Sequence, residues 1–366
     1  MSKLLLTSFL TFYISLLFGQ NTPKYSNEFL AIGAGARGIA MANTQSALAN
    51  DVSAGYWNPA GLLEIKEKYQ FSLMHASLFA GIANYDYVGF ATSVDKVSKI
   101  GLSIIRLGVD NIPDTRTLFD PDGRINYNGV TSFSAADYAF IFSYARRSNL
   151  IKDLKLGGNF KVIYRNVGIF ANAWGFGFDA AAQFSRNKWH FGVTAKDITT
   201  TYNVWTINSE TLFDVFSKTE NPVPDNSIEI TLPRLIGDAA KEFIFKDKVS
   251  LLVAFGFDMT FDGKRNTLVS TKAFSVDPKI GLEIGYKKML FVRGGIGAFQ
   301  KIKDFNGSSR QTFQPNFGLG IQFKNFTLDY ALTDIGDQAA ALYSNIFSLK
   351  VGLQKSKHSK ARNSYE

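Results

Sequence analysis

From Tyr69 onward the chain alternates, and this period of two restricts it to strands with one greasy face and one polar or small face. Phe317, Leu319, Ile321 and Phe323 are separated by Gly318, Gly320 and Gln322. Phe326, Leu328, Tyr330 and Leu332 then alternate with Thr327, Asp329 and Ala331. The pattern recurs where Trp174, Phe176 and Phe178 oppose Gly175, Gly177 and Asp179, and where Phe347, Leu349 and Val351 oppose Ser348, Lys350 and Gly352. In a soluble sandwich the greasy faces meet each other and the outward faces carry most of the charge. Here the second face mixes Gly, Ser and Ala with charges of both signs, which suits a lumen. Closure into a barrel removes exposed strand edges, which lipid does not tolerate. The alternation therefore predicts an all-β chain folded as a transmembrane antiparallel β-barrel of about 14 strands.

Composition agrees. Charged residues make up 19% of the 366, below the roughly 25% of soluble proteins. There are 33 Phe and 15 Tyr, yet mean hydropathy is only -0.03, as expected when only alternate residues face lipid. Beyond the extreme N-terminus no apolar run reaches the roughly 18 residues of a membrane helix. Connections alternate between tight (Asn187, the Lys287-Lys288 region) and long (Val109 to Val130, Thr201 to Ser227, Lys303 to Thr312). Short turns at one end and long loops at the other mark an outer-membrane barrel. Within the second long connection, Thr211 to Phe216 (TLFDVF) is unusually apolar.

The ends divide from the barrel. Residues 1–20 read as a secretory signal, with Lys3 as the basic start and Leu4 to Phe18 as the apolar stretch. Residues 21–68 form a plug-like segment with an Asn-Pro-Ala-Gly motif, 69–353 the outer-membrane barrel, and 354–366 a basic periplasmic tail. The chain has no cysteine, so disulfides, thiol catalysis and thiolate metal sites are excluded. A net charge of +9 spread along an exported chain points to anionic lipid headgroups and lipopolysaccharide, with no nucleic acid.

The stretch Phe29 to Leu62 breaks the strand pattern. It is crowded with Gly and Ala and carries one arginine, Arg37. Gly33, Gly35 and Gly38 spell G-x-G-x-x-G, but a dinucleotide site needs a preceding strand, a following helix and an acid about twenty residues on. No βαβ alternation follows, and Asp51 is too near. The packing reading is preferred. Small residues let backbone lie against a barrel wall, Arg37 pairs with a lumen acid, Asn58 bonds the following backbone, and Pro59 presets a turn before Gly61. This small-residue segment is expected in or under the lumen.

Other chemistry is weakly supported. His75, His190 and His358 are scattered, so no metal cluster is expected. Asp120-Pro121-Asp122-Gly123 reads as a turn before it reads as a calcium loop. His75 and Ser77 share a strand face, facing the lumen or a rim, with no acid at a fixed spacing to make them reactive. No catalytic residue, cofactor or metal is expected, and the chain reads as non-enzymatic.

The block Phe29-Leu30-Ala31-Ile32-Gly33-Ala34-Gly35-Ala36-Arg37-Gly38, then Ser46 to Asp51, then Tyr56-Trp57-Asn58-Pro59-Ala60-Gly61-Leu62, resembles the N-terminal signature of the PorV/PorQ family. These are outer-membrane barrels of Bacteroidota associated with the type IX secretion system. The block is also similar, more loosely, to the FadL family of long-chain fatty-acid transporters. The resemblance implies a FadL-like barrel in the cell outer membrane. It further implies a large translocon barrel protein and the C-terminal domains of secreted cargo as partners. Gly33, Gly35, Arg37, Gly38, Asn58, Pro59 and Gly61 carry the structural motif. On this reading the outer loops bind a translocon partner or exported cargo in protein secretion and cell-surface attachment. The alternative is a FadL-like channel for hydrophobic small molecules such as fatty acids. It requires a continuous apolar cavity bordering Phe29–Leu62 and a sideways exit through a gap in the wall.

Overall fold

The computed structural model describes residues 26–120, 122–218, 221–303, 307–334 and 344–354. The expected signal, and all but the first residue of the expected tail, lie outside them.

Among the described residues, seventeen antiparallel strands form one sheet. In chain order they are β1 (Tyr69–Leu78), β2 (Ala83–Ser93), β3 (Ser98–Asp114), β4 (Thr131–Arg147), β5 (Leu154–Val167), β6 (Ala171–Arg186), β7 (Trp189–Lys196), β8 (Thr201–Ile207) and β9 (Ser227–Thr231). They continue with β10 (Arg234–Phe245), β11 (Val249–Thr260), β12 (Val269–Ser270), β13 (Ser275–Tyr286), β14 (Leu290–Lys303), β15 (Ser309–Phe323), β16 (Phe326–Thr333) and β17 (Ser344–Leu353). The circuit runs through β1 to β7, β10, β11 and β13 to β17, and β17 pairs back onto β1, closing a barrel of 14 strands.

The predicted alternation sets the two faces. Phe317, Leu319, Ile321 and Phe323 are exposed on the outside, while Asn316, Thr327 and Asp329 are buried in the lumen. Outward aromatics stack across strands near the loop-bearing end, with Tyr138 on Tyr164 and Tyr164 on Trp174. At the short-turn end Lys68, Lys241 and Lys287 lie over the rings of Tyr69, Trp189 and Tyr286. Interfacial aromatics with cations beside them match a headgroup boundary. Asn187-Lys188 is a two-residue hairpin in which both residues have positive φ, and Lys287 and Lys288 in the turn before β14 also have positive φ. The former is the type I′ geometry that suits the strand twist.

All three expected long loops are partly structured. Thr201 to Ser227 contains β8 and a helix (Ser209–Lys218), so TLFDVF is helical. Lys303 to Thr312 shrinks because β15 starts at Ser309. The expected loop from Val109 likewise begins after Asp114, since β3 pairs with β4 through a bulge between Val109 and Ile112.

Of the two placements expected for His75 and Ser77, lumen or rim, the structure gives the outer rim. Both side chains point outward, because Gln70, Ser72, Met74 and Ala76 take the lumen face. An acid is present across the strand pair, with His75 Nδ1 2.7 Å from Asp86 Oδ1. Asp86 also faces Arg106, which forms a row with Tyr138. This is a polar patch at the upper edge of the lipid-facing band. At the expected turn, the Gly123 N–H donates to the Asp120 carbonyl at 2.9 Å; Pro121 lies outside the described residues.

Candidate functional site

Residues 26–68 fill the lumen. Gly35 adopts φ 83°, a left-handed conformation open to glycine, and turns the chain into a short helix, α1 (Ala36–Ala40). The Ala36 N–H donates to Ser348 Oγ on the wall. Arg37 forms a two-pronged pair with Glu283, Nε to Oε2 at 2.8 Å and Nη2 to Oε1 at 3.1 Å. Burial alone would lower the Arg37 pKa, but the Glu283 carboxylate overrides it and raises it. Glu283 is shared with Arg293, which reaches on to Asp329 at 2.7 Å. Burial would likewise raise Asp51, yet Lys350, Ser53 and Arg37 hold its pKa down at about 2.

Trp57 covers Gly33 and Gly38, where any Cβ would press on the indole, and its N–H donates to the Ala34 carbonyl at 2.7 Å. Asn58 is fully buried. Its amide nitrogen donates to the carbonyls of Ser46 (2.8 Å) and Ala182 (3.0 Å), so it joins the plug to β6. Its amide oxygen accepts from the Ala60 N–H. Pro59 starts the 3-10 turn that follows, Pro59–Glu64. A Cβ at Gly61 would collide with the Ala49 carbonyl. Three wall glycines complete the docking: Cβ atoms at Gly157, Gly192 and Gly295 would overlap Ala60, Ser46 and Ala42. The small residues of the second strand face therefore leave room for this segment.

The plug blocks the axis below a chamber of about 630 Å³. Ala31, Ile32, Ile39 and Ala42 form an apolar floor. The opposite wall is polar and charged, including Asp258, Asp277, Lys279 and Asn316. The cavity bordering Phe29–Leu62 is thus amphipathic, in contrast to the continuous apolar lining that the channel alternative required.

Beside the chamber the wall is interrupted. β7 and β8 both pair with β6, and Asp197 to Thr200 lie outside both ladders between them. Asp197 and Thr200 both have positive φ. On the next strand, Leu232 and Pro233 separate β9 from β10. β10 pairs with β11 up to Arg234 and Thr260. Past that point β9 has no outer partner among the described residues. The result is a slot in the barrel wall, closed from inside by the start of the described chain. Asn27 Nδ2 donates to Thr231 Oγ1 at 2.7 Å, and the Thr231 hydroxyl bonds Ser26 Oγ at 2.8 Å. Glu28 pairs with Arg265 at 2.9 Å.

Sequence reasoning missed Ser26, Asn27, Lys196, Thr231 and Arg234. Pro233 was the available signal, because proline in a strand marks an edge or a bulge. Among the described residues no group of three or more metal-ligating side chains occurs.

No family model and no curated protein matches the sequence. Solved structures do match in fold. The CymD monoaromatic hydrocarbon channel aligns with TM-score 0.56 at 10% identity, covering 88% of this chain and 98% of that one. The P. putida toluene transporter TodX gives 0.55 at 12% identity, covering 88% and 99%. The Ralstonia pickettii toluene transporter TbuX gives 0.52 at 12%, again covering 88% and 99%. The chain thus has the fold of a FadL-like outer-membrane β-barrel. The similar structures are channels and transporters.

Proposed function

We propose that this barrel is a channel which admits small, largely hydrophobic molecules at its loop-bearing end and releases them sideways into the membrane. The observation that carries this reading is the slot in the wall beside a chamber whose axial exit is closed. A molecule in the chamber meets the plug below it, and Arg234 and Thr260 line both the chamber and the small cavity at the β9 edge beside it. An apolar groove of about 610 Å³ also runs down the outer face of the same strands, between Phe184, Phe191, Phe255 and Phe257 and over Gly237 and Ala239. It offers a desolvated landing place at the slot's foot.

The likeness in fold to a hydrocarbon channel and to toluene transporters favours this reading over a role in binding a translocon partner or exported cargo. The mixed lining favours substrates with a polar group at one end of an apolar body. The test is uptake of radiolabelled toluene and of 1-octanol by cells that express the protein, against cells lacking it. Faster accumulation of either compound supports the channel. Equal rates for both, with the protein present in the outer membrane, would refute it.

A further inference from the structure

Lys196 on β7 and Arg234 on β10 are direct cross-strand partners, and both face the lumen. Like charges directly opposite on one sheet face repel. Several other lumen cations sit on acids. Lys161 contacts Asp179 and Asp197, Arg165 contacts Asp137 and Glu229, and Lys279 contacts Asp258. The Lys196 and Arg234 side chains make no ion pair or hydrogen bond within contact distance among the described residues, although Lys196 is buried and Arg234 lies in the field of Asp258 and Glu28. The Lys196 ammonium lies 4.0 Å from the centroid of the Tyr56 ring. A ring face compensates an ammonium only in part.

A third donor stands in the same row. Thr260 on β11 is the cross-strand partner of Arg234 on its other side, and its buried Oγ1 has no hydrogen-bond partner. Lys196, Arg234, Thr260 and Tyr56 all line one small cavity at the slot, about 40 Å³. This volume admits a single compact group rather than a whole ligand. Four acids share the lining, and each is engaged: Asp179 and Asp197 on Lys161, Glu28 and Asp262 on Arg265. Leu30, Leu232, Pro233 and Phe261 give the same cavity an apolar side.

We infer that Lys196, Arg234 and Thr260 form a recessed binding site for one oxyanion group, a phosphate or a carboxylate, at the wall slot. An oxyanion between the two cations turns their repulsion into two charge-assisted hydrogen bonds, and the threonine hydroxyl supplies a third. The group arrives either as a free anion or as the head of an amphiphile whose tail lies along the apolar side. The inference goes beyond hydrocarbon passage and stands whether or not the barrel passes toluene.

The test is calorimetric titration of the detergent-solubilised protein with inorganic phosphate, with octanoate, and with neutral 1-octanol as the control for the tail. The site predicts that at least one anion binds. Its affinity falls by about tenfold or more in Lys196→Gln and in Arg234→Gln, since each removes a charged hydrogen bond. Lys196→Arg and Arg234→Lys keep binding, and this separates loss of the site from loss of the fold. Lys155→Gln, which removes a lumen cation paired with Glu64, leaves affinity unchanged. Binding of phosphate alone identifies a free anion, and binding of octanoate alone identifies an amphiphile head. Absence of binding by both anions, or affinities within twofold of wild type in both glutamine variants, would overturn the inference.

Discussion

Replacing Asn58 with aspartate tests how the plug is held, because it changes two hydrogen-bond donors into acceptors with almost no change in shape. The Asn58 amide donates to Ser46 and Ala182 at 2.8 and 3.0 Å and accepts from Ala60 at 3.1 Å. Buried hydrogen bonds contribute about 1 kcal/mol each, and orphaned partners cost more. Asn58→Ala is therefore expected to weaken plug docking by about 3 kcal/mol, on the order of a hundredfold in the docking equilibrium. Asn58→Asp is expected to be worse at pH 8, because the oxygen that replaces the amide nitrogen would face the Ser46 and Ala182 carbonyl oxygens, with only the Ser46 hydroxyl at 3.3 Å as a donor. In the folded variant that carboxyl is driven towards its neutral form, so its pKa lies above the unfolded value. Its stability deficit is then smallest at low pH and grows as pH rises through the folded pKa. Urea unfolding followed by tryptophan fluorescence is the assay, since buried Trp57 lies next to the substitution. The expected order at pH 8 is wild type, Asn58→Ala, Asn58→Asp, with Asn58→Asp recovering towards Asn58→Ala at pH 4. An aspartate variant as stable as the alanine variant at pH 8 would refute this account of the motif.

Other substitutions probe the same docking surface. Gly192→Ala places a methyl group against the Ser46 backbone, and overpacking of this kind costs about 1–3 kcal/mol. Gly294→Ala meets nothing closer than the Asn316 carbonyl at 3.8 Å and serves as a neutral control in the same urea titration. Arg37→Met should cost less than the 3–5 kcal/mol of a broken buried pair, because Glu283 keeps Arg293. A double-mutant cycle with Glu283→Gln measures the coupling. The Asp51 carboxyl is depressed from 3.8 to about 2 in the folded chain. Its contribution is therefore present above the unfolded value and lost as pH falls towards 2, a loss that Lys350→Met should reduce in acid titrations of stability.

Much of the barrel is legible in particular residues. Phe317 to Leu332 declares its two faces because lipid imposes a strict period of two, and the Gly-Ala crowding of Phe29–Leu62 declares a confined path. Arg37 finds an acid, Glu283, as a charge among small apolar residues requires. Thr201 to Ile207 was read as loop for a physical reason. Its lumen-facing Thr201 and Asn203 contact Asp197 and the plug's Asn27, so the polar residues that mark a loop elsewhere are buried here. The slot depends on a mismatch of register between β7 and β8 over β6, and single residues do not encode such a mismatch locally. Lys196 and Arg234 lie far apart in the chain, and only strand pairing makes them neighbours. The outward direction of His75 followed from a one-residue choice of phase, which a short strand with Ser on both faces leaves open.

The sideways route is tested most directly by stapling the slot. The chain has no cysteine, and the Ser26 and Thr231 hydroxyls are 2.8 Å apart, so Ser26→Cys with Thr231→Cys introduces one disulfide across the inner side of the slot. The measurement is the rate of toluene and 1-octanol uptake by cells carrying this double variant, oxidised and then reduced. The account predicts slow uptake when oxidised and recovery of the wild-type rate after reduction, at equal amounts of protein in the outer membrane. Uptake at the wild-type rate with the disulfide fully formed would contradict it.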